Sequence, residues 1–146
     1  MARRFTLEEA ERLLPQIEEG IRAAVSLKSE YEEAESTIQA VTQRVIMLGG
    51  VLVDRKAIYQ NRLRRDNSAE LLKAEVEKIQ QTGCVIKDLD LGLVDFPTLF
   101  RGEEVYICWK LGEAGIGFWH GIHEGFAGRK AIDQDFRDHH RGDAAN

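Results

Sequence analysis

The chain has 146 residues, with 20 basic and 25 acidic side chains and a net charge of −5, the size and balance of an ordinary globular domain. At 43% hydrophobic and 31% charged residues, it does not have the composition of a disordered, collagen-like or low-complexity chain. The acidic balance counts against a general nucleic-acid binder, which needs a basic footprint.

No run approaches the ~18 consecutive apolar residues of a membrane span. The opening Met-Ala-Arg-Arg-Phe-Thr-Leu-Glu-Glu lacks the apolar core of a signal peptide. Two cysteines, Cys84 and Cys108, are too few for a disulfide scaffold. A reduced, cytoplasmic protein is expected.

Composition breaks at Gly83. Three of the 13 glycines and three of the 11 aromatics precede it; ten glycines, eight aromatics, both cysteines and all four histidines lie from Gly83 on. The first part is written in helix formers, the second in strand and turn residues. The expected fold class is therefore α+β: a long N-terminal helical hairpin over residues 6–82, packed with a small antiparallel sheet and glycine-rich loop over 83–133. Residues 1–133 are expected to form one domain.

The first helix opens on a capping box, Thr6 with Glu9, and places Glu8, Glu9 and Glu11 at the positive end of the helix dipole. Leu14, Ile17, Ile21 and Ala24 recur at helical spacing, and the stripe resumes at Tyr31, Ala34, Ile38, Val41, Val45 and Leu48. Pro15 predicts a kink near residues 11–15, and Gly49-Gly50 a stop. About 42 residues at ~1.5 Å each give roughly 60 Å of helix. A second helix is predicted over Ser68–Gln81, from Leu72, Val76 and Ile79 on one stripe and Gly83 as terminator.

Val51–Arg65 reads either way. Its Asp54-Arg55-Lys56 and Arg62-Leu63-Arg64-Arg65 clusters suit a solvated helix, and Asp66-Asn67-Ser68 a turn or new N-cap. Unless this segment folds back, Ala34, Ile38, Val41, Val45 and Leu48 face water. A homo-oligomer through the first helix, in coiled-coil fashion, is then expected.

Four strands are predicted in the second part. They are Cys84–Lys87, Leu91–Phe96 closed by Pro97, Val105–Lys110, and Ile116–His120 after a Gly112–Gly115 hairpin loop. In Val105–Lys110, alternation puts Val105, Ile107 and Trp109 on one face and Tyr106, Cys108 and Lys110 on the other. Gly121, Gly125 and Gly128 mark a turn-rich segment. Residues 134–146, with His139 and His140, read as a flexible polar tail.

The polar residues set in apolar or glycine-rich surroundings are the candidates for chemistry. Asp95, between Val94 and Phe96, needs a partner if buried, and Arg129 and His120 are the obvious ones. Asp95, His120 and Arg129 are expected in one cluster where sheet meets glycine loop, with Trp109 or Trp119 as a wall. A structural ion pair and an acid–base site, with Asp95 orienting His120, are both compatible with this pattern.

Cys108, mid-strand, reads as inert core rather than nucleophile. His120, His123 and Glu124, with Asp95 or Cys108 as a distant ligand, are a possible metal set. Metal binding is not favoured there, because the His-x-x-His-Glu order and Gly121 match no helical zinc motif. Gly125-Phe-Ala-Gly128-Arg129-Lys130 lacks the spacing of a phosphate loop, and no cofactor is expected.

Several segments together carry a resemblance. Leu91-Gly-Leu-Val-Asp-Phe-Pro97, Gly102-x-x-Val-Tyr-Ile-Cys-Trp-Lys110, Gly112-Glu113, Trp119-His120 and Gly125-Phe-Ala-Gly-Arg129, with Phe5-Thr-Leu-Glu-Glu-Ala10 and Leu13-Leu14-Pro15, resemble an uncharacterised bacterial family, domain of unknown function 2203. The likeness runs over most of residues 5–132. It implies no activity; the motif positions it implies are Asp95, Cys108, Trp109, Glu113, Trp119, His120, Gly125, Gly128 and Arg129, in agreement with the polar residues read from the sequence itself. The expected function is a small interaction or ligand-binding module with a polar site on the β part; the alternative is a small hydrolase or metal-dependent enzyme using Asp95, His120 and Arg129. The expected partners are a second copy of the chain and an unidentified small ligand or protein, with nucleic acid and membrane disfavoured.

Overall fold

The structure is a computed structural model that describes residues 3–49 and 54–143. Its architecture is α+β, as expected. Helix α1 (Leu7–Met47) is followed by α2 (Arg55–Gln80), then by strands β1 (Val85–Asp88), β2 (Leu93–Phe100), β3 (Glu103–Lys110) and β4 (Phe118–Gly121). A 3-10 turn (Phe126–Gly128), β5 (Lys130–Ala131), α3 (Gln134–His139) and β6 (His140–Arg141) complete it. Two compact units result: Met1–Ile21 with Glu77–Asn146, and Arg22–Val76. The compositional border at Gly83 thus separates helix from sheet, while the start of α1 belongs to the sheet's unit.

In the sheet unit, Thr6 and Glu9 form the predicted capping box. The Glu9 amide donates to Thr6 Oγ1 at 3.1 Å and the Thr6 amide to Glu9 Oε1 at 3.1 Å. Burial opposes ionisation of Glu9, but the bonds from Thr6 and Arg3 outweigh it and hold the carboxyl below its ordinary value. Pro15 sits inside an unbroken helix. Leu14, Ile17 and Ile21 of the predicted stripe are buried, together with Phe5 and Ala10.

The sheet runs β1-β2-β3-β4-β5, with β6 beside β2, and every pairing is antiparallel. No strand lies before Val85 among the described residues. The hairpin between β2 and β3 closes on Phe100↔Glu103 through Arg101 and Gly102, both at positive φ (52° and 83°). That is the signature of a type I′ turn, whose twist matches that of its strands.

Register fixes the two faces. Val94, Phe96, Thr98, Val105, Ile107 and Trp109 alternate onto one and are buried. Phe5 meets Phe96 there edge-on, with ring centres 5.3 Å apart. Leu93, Asp95, Tyr106, Cys108, Phe118 and His120 share the other.

Three expectations fail for identifiable reasons. Pro97 lies within β2 rather than ending it. Its carbonyl accepts from the Phe5 amide at 2.7 Å, on the edge of β2 between the stretches paired with β1 and β6, so its missing N–H interrupts no ladder. The second helix begins at Arg55, not Ser68. Asp54 is the N-cap, its Oδ1 accepting from the Lys56 and Ala57 amides, and the Ser68 hydroxyl bonds back to the Arg64 carbonyl at 2.7 Å as in a helix interior.

Residues 134–143, expected as a polar tail, are the third. Phe136 is fully buried and stacks on Phe100 and Trp119, with ring centres 5.1 Å apart in each case. His140 Nδ1 donates to the Phe136 carbonyl, and its Nε2 accepts from the Leu7 amide at 2.9 Å. One aromatic and one histidine in a polar stretch, with the pairing of β6 on β2, dock it.

In the helical unit, Arg64 pairs with Glu30 and Glu33, and Arg65 with Glu35, all at 3.2 Å, so α2 folds back along α1. Ala34 is consequently buried and Ile38 and Val41 half-buried, contrary to the water-facing stripe expected. Val45 and Leu48 do stay exposed. The predicted stop at Gly50, and Val51 of the fold-back segment, lie outside the described residues.

Phe136→Ala should destabilise the protein by about 3–5 kcal/mol, the usual cost of emptying a buried phenyl site. Urea denaturation checks this; a merely polar tail would give a change near zero.

Candidate functional site

The polar site is built across three adjacent strands of the sheet. Asp95 on β2 stands directly opposite Cys108 on β3, and His120 on β4 stands opposite Tyr106. His120 reaches over the central strand, so that Nε2 lies 3.1 Å from both Asp95 carboxylate oxygens. The two residues are 1% and 4% exposed. His120 Nδ1 lies 2.9 Å from the Gly121 carbonyl. A carbonyl only accepts, so Nδ1 carries a proton.

Burial pushes the Asp95 carboxyl above its ordinary value, against the opposing pull of His120, Lys87 and a hydrogen bond with Cys108. Burial likewise pushes the Cys108 thiol up to about 11, with the Asp95 charge adding to the effect and Arg129 opposing it.

Arg129 joins the cluster from the glycine-rich loop. Its guanidinium lies 3.9 Å from the centre of the Phe118 ring and 4.2 Å from that of Phe126. It makes a two-pronged pair with Glu113, at 3.1 and 2.9 Å, and its charge favours ionisation of the nearby Cys108 thiol. Glu113 in turn accepts from the Lys110 amide at 2.7 Å, and its carbonyl accepts from Trp109 Nε1. Asp95 therefore pairs with His120 and Arg129 with Glu113, with Cys108 directly opposite Asp95.

Above this floor lies a cavity of about 330 Å³, bounded by Lys87, Leu93, Ile122, His123, Glu124 and Phe126 besides Asp95, Cys108 and His120. Neither tryptophan borders it. Trp109 pairs with Val94 and Trp119 with Ile107, one residue out of phase with Asp95 and Cys108 and so on the opposite face. Phe126 supplies the aromatic wall instead.

His123 and Glu124 reach the cavity rim, but the Glu124 carboxylate is bound to the Gly121 amide and Lys130. Among the described residues, the group whose donor atoms converge is Asp95, Cys108 and His120, not His120, His123 and Glu124. Lys87, Leu93, Ile122 and Phe126 are lining residues that pattern reading passes over. Phe126, lodged between two glycines of the loop, is the one with a sequence signal.

Comparison with known proteins places this geometry in a family. The model of the family described as "Uncharacterized conserved protein (DUF2203)" matches residues 3–132. The chain belongs to that family. No curated protein and no solved structure matches it.

Arg129→Lys keeps the charge but loses the planar fork and the ring contacts. It should cost about 1–3 kcal/mol, with faster hydrogen exchange at Gly125 and Gly128, read by mass spectrometry.

Proposed function

We propose that the chain is a small-ligand-binding module whose site is the cavity over the Asp95–His120 floor. The observation that carries this reading is a pair of almost fully buried titratable groups at the base of an open, partly apolar hollow. Its size is that of a small-molecule pocket, with Leu93, Ile122 and Phe126 as apolar walls and Lys87 and Glu124 as charged rim.

A hydrolase in which Asp95 orients His120 as a base is the weaker reading. Such a base needs one ring nitrogen free for substrate, and here Nε2 is on Asp95 and Nδ1 on the Gly121 carbonyl.

We further propose a cytoplasmic location and self-association. Two buried free cysteines support a reducing compartment. Among the described residues, no helix is long and apolar enough to cross a membrane. Ile46, Met47 and Leu48, at 74%, 82% and 62% exposure, leave an apolar end on α1, and Tyr59 and Leu63 on α2 add to the exposed apolar surface. Coiled-coil pairing of two copies would cover α1's exposed end.

Two measurements test these readings. Metal-free protein titrated with imidazole, short carboxylates and phenol-sized aromatics should show amide shifts that saturate together at Leu93, Asp95, His120, Ile122 and Phe126. Shifts scattered over the surface would refute the pocket reading. Sedimentation equilibrium at micromolar concentration should give a multiple of 16.6 kDa, lowered by Ile46→Asp with Leu48→Asp; a wild-type mass at 16.6 kDa refutes self-association.

A further inference from the structure

We propose that Asp95, Cys108 and His120 form a binding site for one divalent transition-metal ion of the zinc class. This goes beyond the small-ligand reading and does not depend on it.

The first argument is convergence. A carboxylate, a thiol and an imidazole present one donor atom each, all within 4.8 Å of one another, and all three residues are buried. Zinc, at ~2.3 Å from sulfur and ~2.0–2.2 Å from nitrogen or oxygen, holds tetrahedral donors about 3.3–3.6 Å apart. Seating an ion therefore requires donor movements on the order of ~1 Å, within reach of small side-chain rotations. The donors stand on three neighbouring strands, among the most rigid supports a fold offers.

The second argument is orientation. The Gly121 carbonyl holds His120 by its Nδ1–H, which turns Nε2 towards both Asp95 carboxylate oxygens at 3.1 Å. Backbone fixation of the remote ring nitrogen is the support found behind metal-ligating histidines. A ring nitrogen and a carboxylate at this distance are joined by a proton or, in its place, a metal ion. A proton would serve the histidine–aspartate pair alone, whereas the Cys108 sulfur adds a third donor that suits a metal ion.

The third argument is surroundings. Arg129, fixed by Glu113 and two aromatic rings, sets a positive charge near Cys108, the ligand that gives the site its softness. The cavity supplies a route from solvent and room for a fourth ligand, as in zinc sites with three protein donors. A mixed nitrogen, oxygen and sulfur set with one thiolate favours zinc or cobalt(II) over magnesium or calcium, which prefer all-oxygen sites. Two anionic donors balance the ion's charge.

The test uses the full chain, stripped with a chelator and titrated with Co²⁺. The expected result is one equivalent per chain, with a sulfur-to-cobalt charge-transfer band in the near ultraviolet that Zn²⁺ displaces and Mg²⁺ does not. Cys84→Ser should retain the band, Cys108→Ser should abolish it, and His120→Gln should weaken Co²⁺ binding by more than about tenfold.

If Cys108→Ser fails to fold by circular dichroism, protection decides. In the Cys84→Ser protein, Zn²⁺ should slow alkylation of the remaining thiol at least about tenfold relative to Mg²⁺, since a coordinated thiolate is masked. No charge-transfer band in wild type, a band that survives Cys108→Ser, or equal alkylation in Zn²⁺ and Mg²⁺ would overturn the assignment. Shifts of the Leu93–Phe126 set by small organic probes would still stand in that case, which separates this failure from that of the pocket reading.

Discussion

Asp95 is 1% exposed in the middle of a central strand, and an uncompensated carboxylate in such a place costs several kcal/mol. Much of the site's construction follows from that constraint. β3 offers a thiol directly opposite, which can share a hydrogen bond but brings no cation. The cationic or proton-sharing partner comes instead from β4, where His120 crosses over β3 to reach both oxygens. A one-residue slip of β4 against β3 would carry His120 to the other face and strand the carboxylate. The buried charge thus favours the same β3–β4 register as the apolar residues do.

A second polar pair stands beside the first, and the division of labour is visible in the partners. Arg129 spends both prongs of its guanidinium on Glu113 and its faces on Phe118 and Phe126, which holds the glycine-rich loop over the sheet. That leaves His120 as the side chain paired with Asp95. Cys108 lies between the two pairs, directly opposite Asp95, and the hollow remains between the loop and the floor.

The residues showed much of this in advance. Capping box, core stripe and composition break gave the α+β architecture. The polar residues embedded in apolar or glycine-rich sequence pointed to Asp95 beside His120, whereas Arg129, the other expected partner, pairs with Glu113. The alternation in Val105–Lys110 already put Cys108 and Trp109 on opposite faces. With Asp95 opposite Cys108, the tryptophans had to lie behind the sheet, yet strand pairing is a long-range fact that no single segment states.

Pro97 was misleading because its cost depends on which edge its nitrogen faces. Ser68 was misleading because capping residues also occur inside helices when their hydroxyls bond back. Phe136 was missed because one large aromatic counts for little in a composition window and for a great deal in a core.

The C-terminal segment changes what the start of α1 means. The Leu7 amide is one of the unpaired donors of the helix's first turn, and it finds its acceptor in His140, 133 residues away. Next to it, the Asp143 side chain accepts from the Arg4 amide. Gly142 passes so close to Phe5 and Thr6 that a Cβ there would lie 2.8 Å from their backbone atoms. A helix start that Thr6 and Glu9 already cap locally is therefore clamped a second time, by the segment that also seals Phe100 and Trp119 on the apolar face. The two faces of the sheet are consequently stabilised by different means. The apolar face is closed by contacts from both ends of the described chain, while the polar face rests on a few directed bonds under a loop. A face held by few, directional contacts is the one that can exchange one partner for another without loss of the fold.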